Sequence, residues 1–414
     1  MQRVVIIGGG FGGLYAAKAL GSAPVAVTLI DRRNHHVFQP LLYQVATAGL
    51  SAIDIGEPIR RILRRQANTS VQLAEVVSVD LEARHVLPAE GEPIEYDYLI
   101  VATGAGDSYF GHDDWEPHAP GLKSIEDALE IRRRVLLAFE QAEMVKDPDS
   151  RRALLTLAVI GGGPTGAELA GALAELSRHT LSDEFRQFDA GDARVLLIEA
   201  GDRILPGYPP ALSARAQRQL ERLGVEIRTG APVTEVDAGG IRLGDERIPC
   251  RTMLWAAGVA ASPLGASLGT ELDQAGRVIV EPDLTVPGHP EVFVVGDLAH
   301  VVQNGRPLPG VAPAAIQMGR HAADSITRAV RAEPTQSFRY VDRGTMATLG
   351  RSSAIAVIKG IRLWGLPAWL AWLFIHILFL IGFRNRAVVL FEWARSYLTY
   401  SRSARLILHP RHSD

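Results

Sequence analysis

Apolar and polar positions along the chain follow a repeated rhythm. In "VVIIGGGFGGLYAAKAL", residues 4–20, a short continuous apolar run breaks into glycines and reopens as a helix-forming stretch. A run of that length bounded by glycine predicts a buried strand, and the stretch after the glycines predicts a helix. The same succession returns in "LAVIGGGPTGAELAGALAEL", residues 157–176. Shorter strand-like runs end in acids or small-residue turns: "VAVTLID" (25–31), "YDYLIVATGA" (96–105), "RVLLIEAG" (194–201), "RTMLWAAGVA" (251–260) and "EVFVVGDLAH" (291–300). Strands alternating with helices predict an α/β protein with two Rossmann-like dinucleotide-binding domains. A third kind of segment comes late. Trp364 to Phe383 runs 20 residues without Asp, Glu, Lys or Arg.

The glycines carry the first chemistry. Gly8, Gly10 and Gly13 form G-x-G-x-x-G between strand and helix. The first permits the tight turn, the second lets backbone amides reach a pyrophosphate, and the third lets helix pack on strand. The helix N-terminus then presents partial positive charge to the phosphates. Asp31 ends the next strand, where a carboxylate accepts bonds from ribose hydroxyls. Gly161, Gly163 and Gly166 repeat the turn, with Glu199 as the acid. Glu199 lies 38 residues after Gly161, beyond the usual ~20. The polar segment "LSDEFRQFDAGDA" (181–193) accounts for the excess as a helix extension and loop. A carboxylate there repels a 2′-phosphate, so NADH is expected over NADPH. Two cradles imply two dinucleotides.

Composition narrows the class. With 414 residues, 47% hydrophobic and 21% charged, the chain is a folded protein of two or three domains. Net charge −3 speaks against a nucleic-acid partner. From Arg351 onward, however, nine Lys/Arg face two Asp/Glu, a local +7 that leaves −10 on the first 350 residues. A basic end beside an apolar run is the footprint of an anionic membrane surface. Cys250 is the only cysteine, which excludes a disulfide, a CxxC pair and a cysteine-rich metal site. His35-His36, His376 and "HPRH" (409–412) lack partners at metal-ligand spacing, so no metal is expected. No cleavable leader is expected, since "VVII" follows Met1-Gln2-Arg3 directly and suits a first strand. Arg132-Arg133-Arg134 on "SIEDALEIRRRVLLAFEQAEM" reads as a solvated helix face among acids.

These stretches in this order resemble the two-dinucleotide-binding flavoproteins, in which FAD takes the first cradle and NAD(P)H the second. That resemblance implies that Asp297 bonds the ribityl chain and that Thr103 and Gly104 lie along the FAD. Disulfide reductases and sulfide:quinone oxidoreductases need cysteines that this chain lacks. "FQPLLYQVATAGLS", "GGGPTGAELAG", "GVAPAAIQMGRHAA" and "IGFRNRAVVLFEWARSYLTYSRSARLI" together resemble type II NADH:quinone oxidoreductases, the non-pumping respiratory enzymes, over nearly the whole chain. Their Ala-Gln-x-Ala-x-Gln motif lines the quinone tunnel beside the flavin. Here it reads Ala312-Pro313-Ala314-Ala315-Ile316-Gln317. The resemblance places Ala315 at the FAD and Gln317 at the quinone, while Pro313 stands where the family has its first glutamine. Glu168, read as a first-turn acid of the second cradle's helix, is by the same resemblance the proton-delivering group. Quinone reduction takes two protons and a hydride brings one.

The expected arrangement is an FAD domain over 1–110 and 276–340, a connecting helix region over 111–149 and an NADH domain over 150–275. Residues 341–414 come last as a membrane-anchoring region. Pro367 and the tryptophans Trp364, Trp369 and Trp372 favour helices lying in one leaflet over a true span. The expected function is FAD-dependent electron transfer from NADH to a membrane quinone without ion pumping, at the cytoplasmic face of the membrane. Two rivals remain: an NADH-responsive redox sensor, and a reductase of another lipid-soluble acceptor. Ubiquinone or menaquinone, and monomer or homodimer, are left open.

Overall fold

The computed structural model describes residues 1–380, 383–399 and 404–407. The histidines of "HPRH" and two residues of the late apolar run, Ile381 and Gly382, lie outside the described residues. Strand β1 (Gln2–Ile7), helix α1 (Phe11–Ala19) and β2 (Val25–Asp31) open the chain. Next come the short α2 (Leu42–Ala46), β3 (Thr69–Leu73), β4 (Tyr98–Val101) and the long α3 (Ile125–Met144). A second series begins at β5 (Thr156–Ile160) and runs through α4 (Pro164–Glu175), β6 (Arg194–Ile198), β7 (Val225–Arg228) and β8 (Thr252–Trp255). Then come β9 (Thr285–Val286), β10 (His289–Val294) and α5 (Ala312–Val330). The chain continues through β11 (Thr345–Thr348), β12 (Ala354–Ile358), β13 (Ile361–Gly365), α6 (Leu366–Phe379) and α7 (Phe383–Thr399). Contacts divide the residues into two compact units.

Unit 1 takes residues 1–37, 56–106 and 259–343. Its sheet runs β9–β10–β4–β1–β2–β3, parallel except at the short β9. Val4 to Ile7 of the central β1 are all buried, as a continuous apolar run in a two-sided parallel strand must be. The chain reverses direction beside β1, and in such sheets the crevice outside the carboxyl ends of the strands binds the ligand. Helix α5 crosses α1 at backbone contact: a Cβ on Gly319 would lie 2.1 Å from the Gly12 carbonyl oxygen.

Unit 2 takes residues 38–55, 107–258 and 344–414. Its parallel sheet, β7–β6–β5–β8, repeats the strand order of β3–β2–β1–β4. A separate antiparallel sheet, β11–β12–β13, carries α6, whose Ala368 packs against Ala354 and Ala356. The sequence bounds kept 38–55 with the first cradle and set 341–414 apart. Contacts instead group 38–55 and 344–414 with unit 2. Two reasons are visible: the Tyr43 hydroxyl bonds Thr348 Oγ1 at 3.0 Å, and α2 packs on α3.

Ser124 and Asp127 close a capping box at the start of α3. Of its three arginines, Arg133 and Arg134 grip Glu130 at 2.7 and 2.6 Å on a half-exposed face. Arg132 departs from the expected solvated face: it turns inward and is 7% exposed. After α4 the chain makes one wide π turn, Leu176–Thr180, and then irregular turns through 181–193. That segment is held by Phe185 and Phe188, which stack with Phe139 at 5.9 and 6.4 Å. No helix among the described residues is long and apolar enough to cross a membrane. The 14 residues of α6 fall short of the ~20 that a span needs.

The α1–α5 crossing generates a stability prediction. Gly319→Ala forces a methyl into the Gly12 carbonyl and should destabilise the protein by about 1–3 kcal/mol in chemical denaturation. Gly106→Ala, where a Cβ meets nothing within 4 Å, serves as the control with little change. A Gly319→Ala midpoint equal to the parent's would show that the helices do not meet there.

Candidate functional site

The first cradle forms because three glycines do different steric work. Gly8 sits at φ +102, and a Cβ on it would strike the Ala102 carbonyl oxygen at 2.4 Å. A Cβ on Gly13 would lie 1.9 Å from the Gly8 carbonyl oxygen, so α1 crosses its own turn at backbone distance. Gly10 has open space in front of it and starts α1 with no side-chain cap. An uncapped helix start facing open space is the arrangement in which a helix N-terminus takes an anion. Asp31 braces the turn: its Oδ2 accepts from Gly9 N at 2.5 Å and its Oδ1 from Arg33 N at 2.7 Å. His36 backs the same turn, with Nδ1 2.9 Å from the Gly9 carbonyl and its ring edge-on to Phe11 at 5.0 Å. Burial holds that imidazole down to about 4, so it is a neutral core residue.

The other unit 1 residues named from sequence come to this place. A Cβ on Gly12 would meet Val295 Cγ2, the Ala315 carbonyl and Ala102 Cβ within 3.7 Å, so the turns after β1, β4 and β10 and the start of α5 converge. Thr103 and Gly104 follow β4, and Asp297 follows β10 beside Gly310. Thr103 Oγ1 is buried with no hydrogen-bond partner among the described residues. An orphaned hydroxyl beside an open, uncapped helix N-terminus fits a bound dinucleotide. Pro313 stands in the first turn of α5, where no amide is needed. Gln317 does not present a free amide. Its Nε2 donates to the Val341 carbonyl and its Oε1 accepts from Val341 N, both at 3.0 Å.

The second cradle repeats the device. Gly161 has φ +111 with Ala256 carbonyl atoms 2.5 Å from its would-be Cβ; Gly166 would meet Gly161 O at 1.8 Å; Gly163 faces open space. Glu199 braces this turn as Asp31 does the first, with Oε2 on Gly162 N and Oε1 on Gly201 N, both at 2.7 Å.

Glu168 lies on α4 but not where the sequence reading put it. Helix α4 begins at Pro164 and has no acid in its first turn. Glu168 is one turn further and lines a cavity of about 120 Å³ in unit 2 together with Tyr43, Thr348, Trp369, Trp372 and Trp393. A close contact sets this up. Gly171 on α4 would place a Cβ 3.0 Å from Gly350 N, so the end of β11 lies against the helix. Thr348 then donates to Glu168 Oε1 from its backbone N at 3.1 Å and from its hydroxyl at 3.4 Å. Behind it the donors line up: Trp393 Nε1 to Gln44 Oε1 (2.7 Å), Gln44 Nε2 to the Tyr43 hydroxyl (2.9 Å), and Tyr43 to Thr348. Burial pushes the Glu168 carboxyl up to about 8, and the Thr348 bonds relieve only part of that. Near neutral pH the group is therefore a protonated acid. With Oε1 accepting twice, the proton belongs on Oε2, which takes no protein bond among the described residues.

Sequence reading missed Tyr43, Gln44, Thr348, Trp372 and Trp393 as site residues. Tyr43 and Gln44 lie inside the quoted block "FQPLLYQVATAGLS", which was the available signal. Thr348 meets Glu168 across 180 positions, and no local pattern marks it. Cys250 is buried among Ile241 and Ile248, and burial pushes its thiol up to about 12. Among the described residues no group of three or more His, Cys, Asp or Glu is placed to hold a metal ion.

A sequence profile of the pyridine nucleotide-disulphide oxidoreductases matches residues 2–319. The chain is 49% identical over 423 residues to the type II NADH:quinone oxidoreductase NdhA of Mycobacterium tuberculosis, covering 98% of this chain and 89% of that protein. A type II NADH:quinone oxidoreductase of Staphylococcus haemolyticus is 30% identical over 369 residues, covering 87% and 90%. In structure it is similar to NDH2 from Plasmodium falciparum in complex with NADH, with TM-score 0.89 at 19% identity, covering 99% of this chain and 100% of that one. It is also similar to the sulfide:quinone oxidoreductase of Aquifex aeolicus, with TM-score 0.77 at 20% identity, covering 99% and 96%. At such identities the structural likenesses speak for the fold alone.

The Glu168 environment predicts a pH signature in stability. The carboxyl binds its proton more tightly folded (about 8) than unfolded (about 4.3). Folding is therefore unpenalised at low pH and loses stability as pH rises through that window. Glu168→Gln removes the titration, so its thermal stability relative to the parent should rise between pH 5 and pH 8, by more than ~1 kcal/mol, then level off. A difference that stays flat with pH would mean the carboxyl is ionised at neutrality.

Proposed function

The chain belongs to the type II NADH:quinone oxidoreductases, which use FAD to carry electrons from NADH to a quinone, and we propose that its two cradles divide the cofactors, FAD in unit 1 and NADH in unit 2. FAD, when bound, accepts the hydride of NADH and releases the electrons onward. The work of the chain is to hold, orient and supply protons. Gly8, Gly10, Gly13 and the N-terminus of α1 cradle the FAD pyrophosphate. Asp31 accepts from ribose, while Thr103, Gly104, Asp297 and Ala315 line the remainder. The unpartnered Thr103 hydroxyl supports this assignment. Gly161, Gly163 and Gly166 cradle the NADH pyrophosphate. Glu199 favours a free 2′-hydroxyl, hence NADH over NADPH.

The observation that carries the catalytic reading is the Glu168 carboxyl, lining a cavity with Tyr43, Trp369, Trp372 and Trp393 and bonded on one oxygen by Thr348, where burial favours its protonated form. It holds the second proton that quinone reduction consumes, on Oε2, and Thr348, Tyr43 and Gln44 orient it. Gln317 is the further quinone-side residue of this reading. Its amide is paired with the Val341 backbone, and that pair would have to open for it to bond an acceptor. Stopped-flow half-reactions test the proposal. NADH should reduce the bound FAD of Glu168→Gln at the parental rate, while reoxidation by a short-chain quinone should slow by ~10-fold to 100-fold, the lower range of general-acid help. Equal reoxidation rates would remove Glu168 from the chemistry.

The quinone is held in lipid, and we place the membrane contact on α6. The helix is apolar all round, yet only the face of Ala368, Trp372 and His376 is buried. Leu366, Leu370, Phe374 and Leu378 stand outward, 50–66% exposed. Ile361 and Trp364 on β13 are exposed as well, with exposed Lys359 and Arg362 beside them. An apolar face rimmed with cations suits the interface of an anionic leaflet. The reading is peripheral attachment from the cytoplasmic side, without ion transport. Part of the basic tail serves the fold instead: Arg386 caps the α6 end through the carbonyls of Leu380 and Leu378, and Arg405 pairs with Glu184. The double variant Leu370→Glu with Phe374→Glu should leave anionic vesicles in flotation assays and lose turnover with membrane-held quinone, while still reducing a soluble short-chain quinone. Retention on the vesicles would place the anchor elsewhere.

A further inference from the structure

The cavity that Glu168 lines holds a second polar group without a partner. Trp372 is 2% exposed and lines the cavity, yet its indole Nε1 has no hydrogen-bond partner among the described residues. Indole N–H is a donor only, and leaving it buried and unmade costs free energy. Its position is not accidental slack. The His376 ring stacks on it at 4.2 Å, Trp393 packs at 5.2 Å, and His376 Nδ1 contacts the Trp372 carbonyl at 2.8 Å. Trp393 by contrast spends its own N–H on Gln44. Of these two neighbouring indoles, one is committed to the protein and one is kept for something else.

We propose that Trp372 is a quinone-binding residue, donating its indole N–H to a carbonyl oxygen of the quinone ring seated in the cavity that Glu168, Tyr43 and Trp369 also line. The size agrees. An apolar cavity near 150 Å³ takes one benzene, and this one, about 120 Å³, is on the scale of a single six-membered ring. The chemistry agrees as well. A quinone ring offers flat faces to the surrounding indoles and carbonyl oxygens to donors, and has no donor of its own. Among the donors of the residues that line it are the Trp372 N–H and the Glu168 Oε2 proton, neither of which has a protein acceptor among the described residues. The carbonyl oxygen gains negative charge as the ring is reduced, so a fixed N–H strengthens its bond through the reaction. Trp372 thereby holds the ring while Glu168 supplies the proton.

The proposal rests on the assignment of electron transfer to quinone, and the test separates the two. Trp372→Phe keeps the ring and removes only the donor. With short-chain ubiquinone and with menadione, kcat/KM should fall about 3-fold to 10-fold, the weight of one neutral hydrogen bond, chiefly through a higher KM. Bound FAD and its reduction by NADH report an intact fold. The same KM as the parent for both quinones overturns the role of Trp372, and parental turnover still upholds the quinone assignment. A rise confined to long-chain quinone in vesicles also overturns it, since that reports membrane seating. Should the variant lose FAD, the unaltered enzyme with ¹⁵N-indole tryptophan decides. Short-chain quinone should move one N–H resonance downfield; an unmoved set of indole resonances at saturating quinone refutes the bond.

Discussion

The molecule depends on a single steric constraint used twice: a helix must cross the turn that feeds it at backbone contact. Gly13 over Gly8 and Gly166 over Gly161 leave less than 2 Å for any Cβ. No other residue tolerates that approach, and only that approach aims the amides of α1 and α4 into the crevice beyond the strands. The acids at the ends of β2 and β6 reinforce it. Asp31 and Glu199 each take the amide of the middle glycine of the turn and a second amide two residues beyond themselves. Each carboxylate is thus held in place by the protein, and in its proposed role toward a ribose this lowers the ordering needed on binding.

The same crossing determines where Glu168, the proposed proton donor, sits. Once α4 is anchored at Gly161, its second turn carries Glu168 outward, and Gly171 admits β11 and the turn after it against the helix. Thr348 then bonds one carboxyl oxygen and burial raises the affinity of the group for its proton. The donor chain from Trp393 through Gln44 and Tyr43 runs one way, toward Glu168. Each bond in such a chain polarises the next. A carboxyl fed by donors on one oxygen is left with its proton on the other. The cavity thus holds an acid whose orientation is set by other groups of its own wall.

Legibility in the sequence tracked distance along the chain. Gly8, Gly10, Gly13 and their counterparts could be read because their constraint is closed within six residues, and Asp31 because strand length fixes where it falls. Glu168 was singled out with the wrong surroundings: its neighbours are Thr348 and Tyr43, which pattern cannot bring together across 180 and 125 positions. Gln317 shows the opposite failure. Its residue type matched, but the amide is closed on Val341 by a loop whose path no spacing predicts. Arg132 likewise reads as one of three equivalent arginines until packing turns it inward.

In the proposed function one helix of the late apolar segment joins a nucleotide-binding fold to a substrate held in lipid. Read as hydropathy alone, Trp364–Phe383 is long enough to span; cut by Pro367 at its start and ended at Phe379, α6 is not. Its two faces do different work at four-residue spacing. Ala368 packs under β12, Trp372 lines the cavity and His376 stacks on Trp372, while Leu366, Leu370, Phe374 and Leu378 stand uncovered among the described residues. An apolar face of that size is stable in water only at a cost that lipid removes. On the proposed membrane contact, the helix that meets lipid is the one that carries Trp372, and a quinone ring leaving the leaflet beside α6 would find its first donor on the same helix.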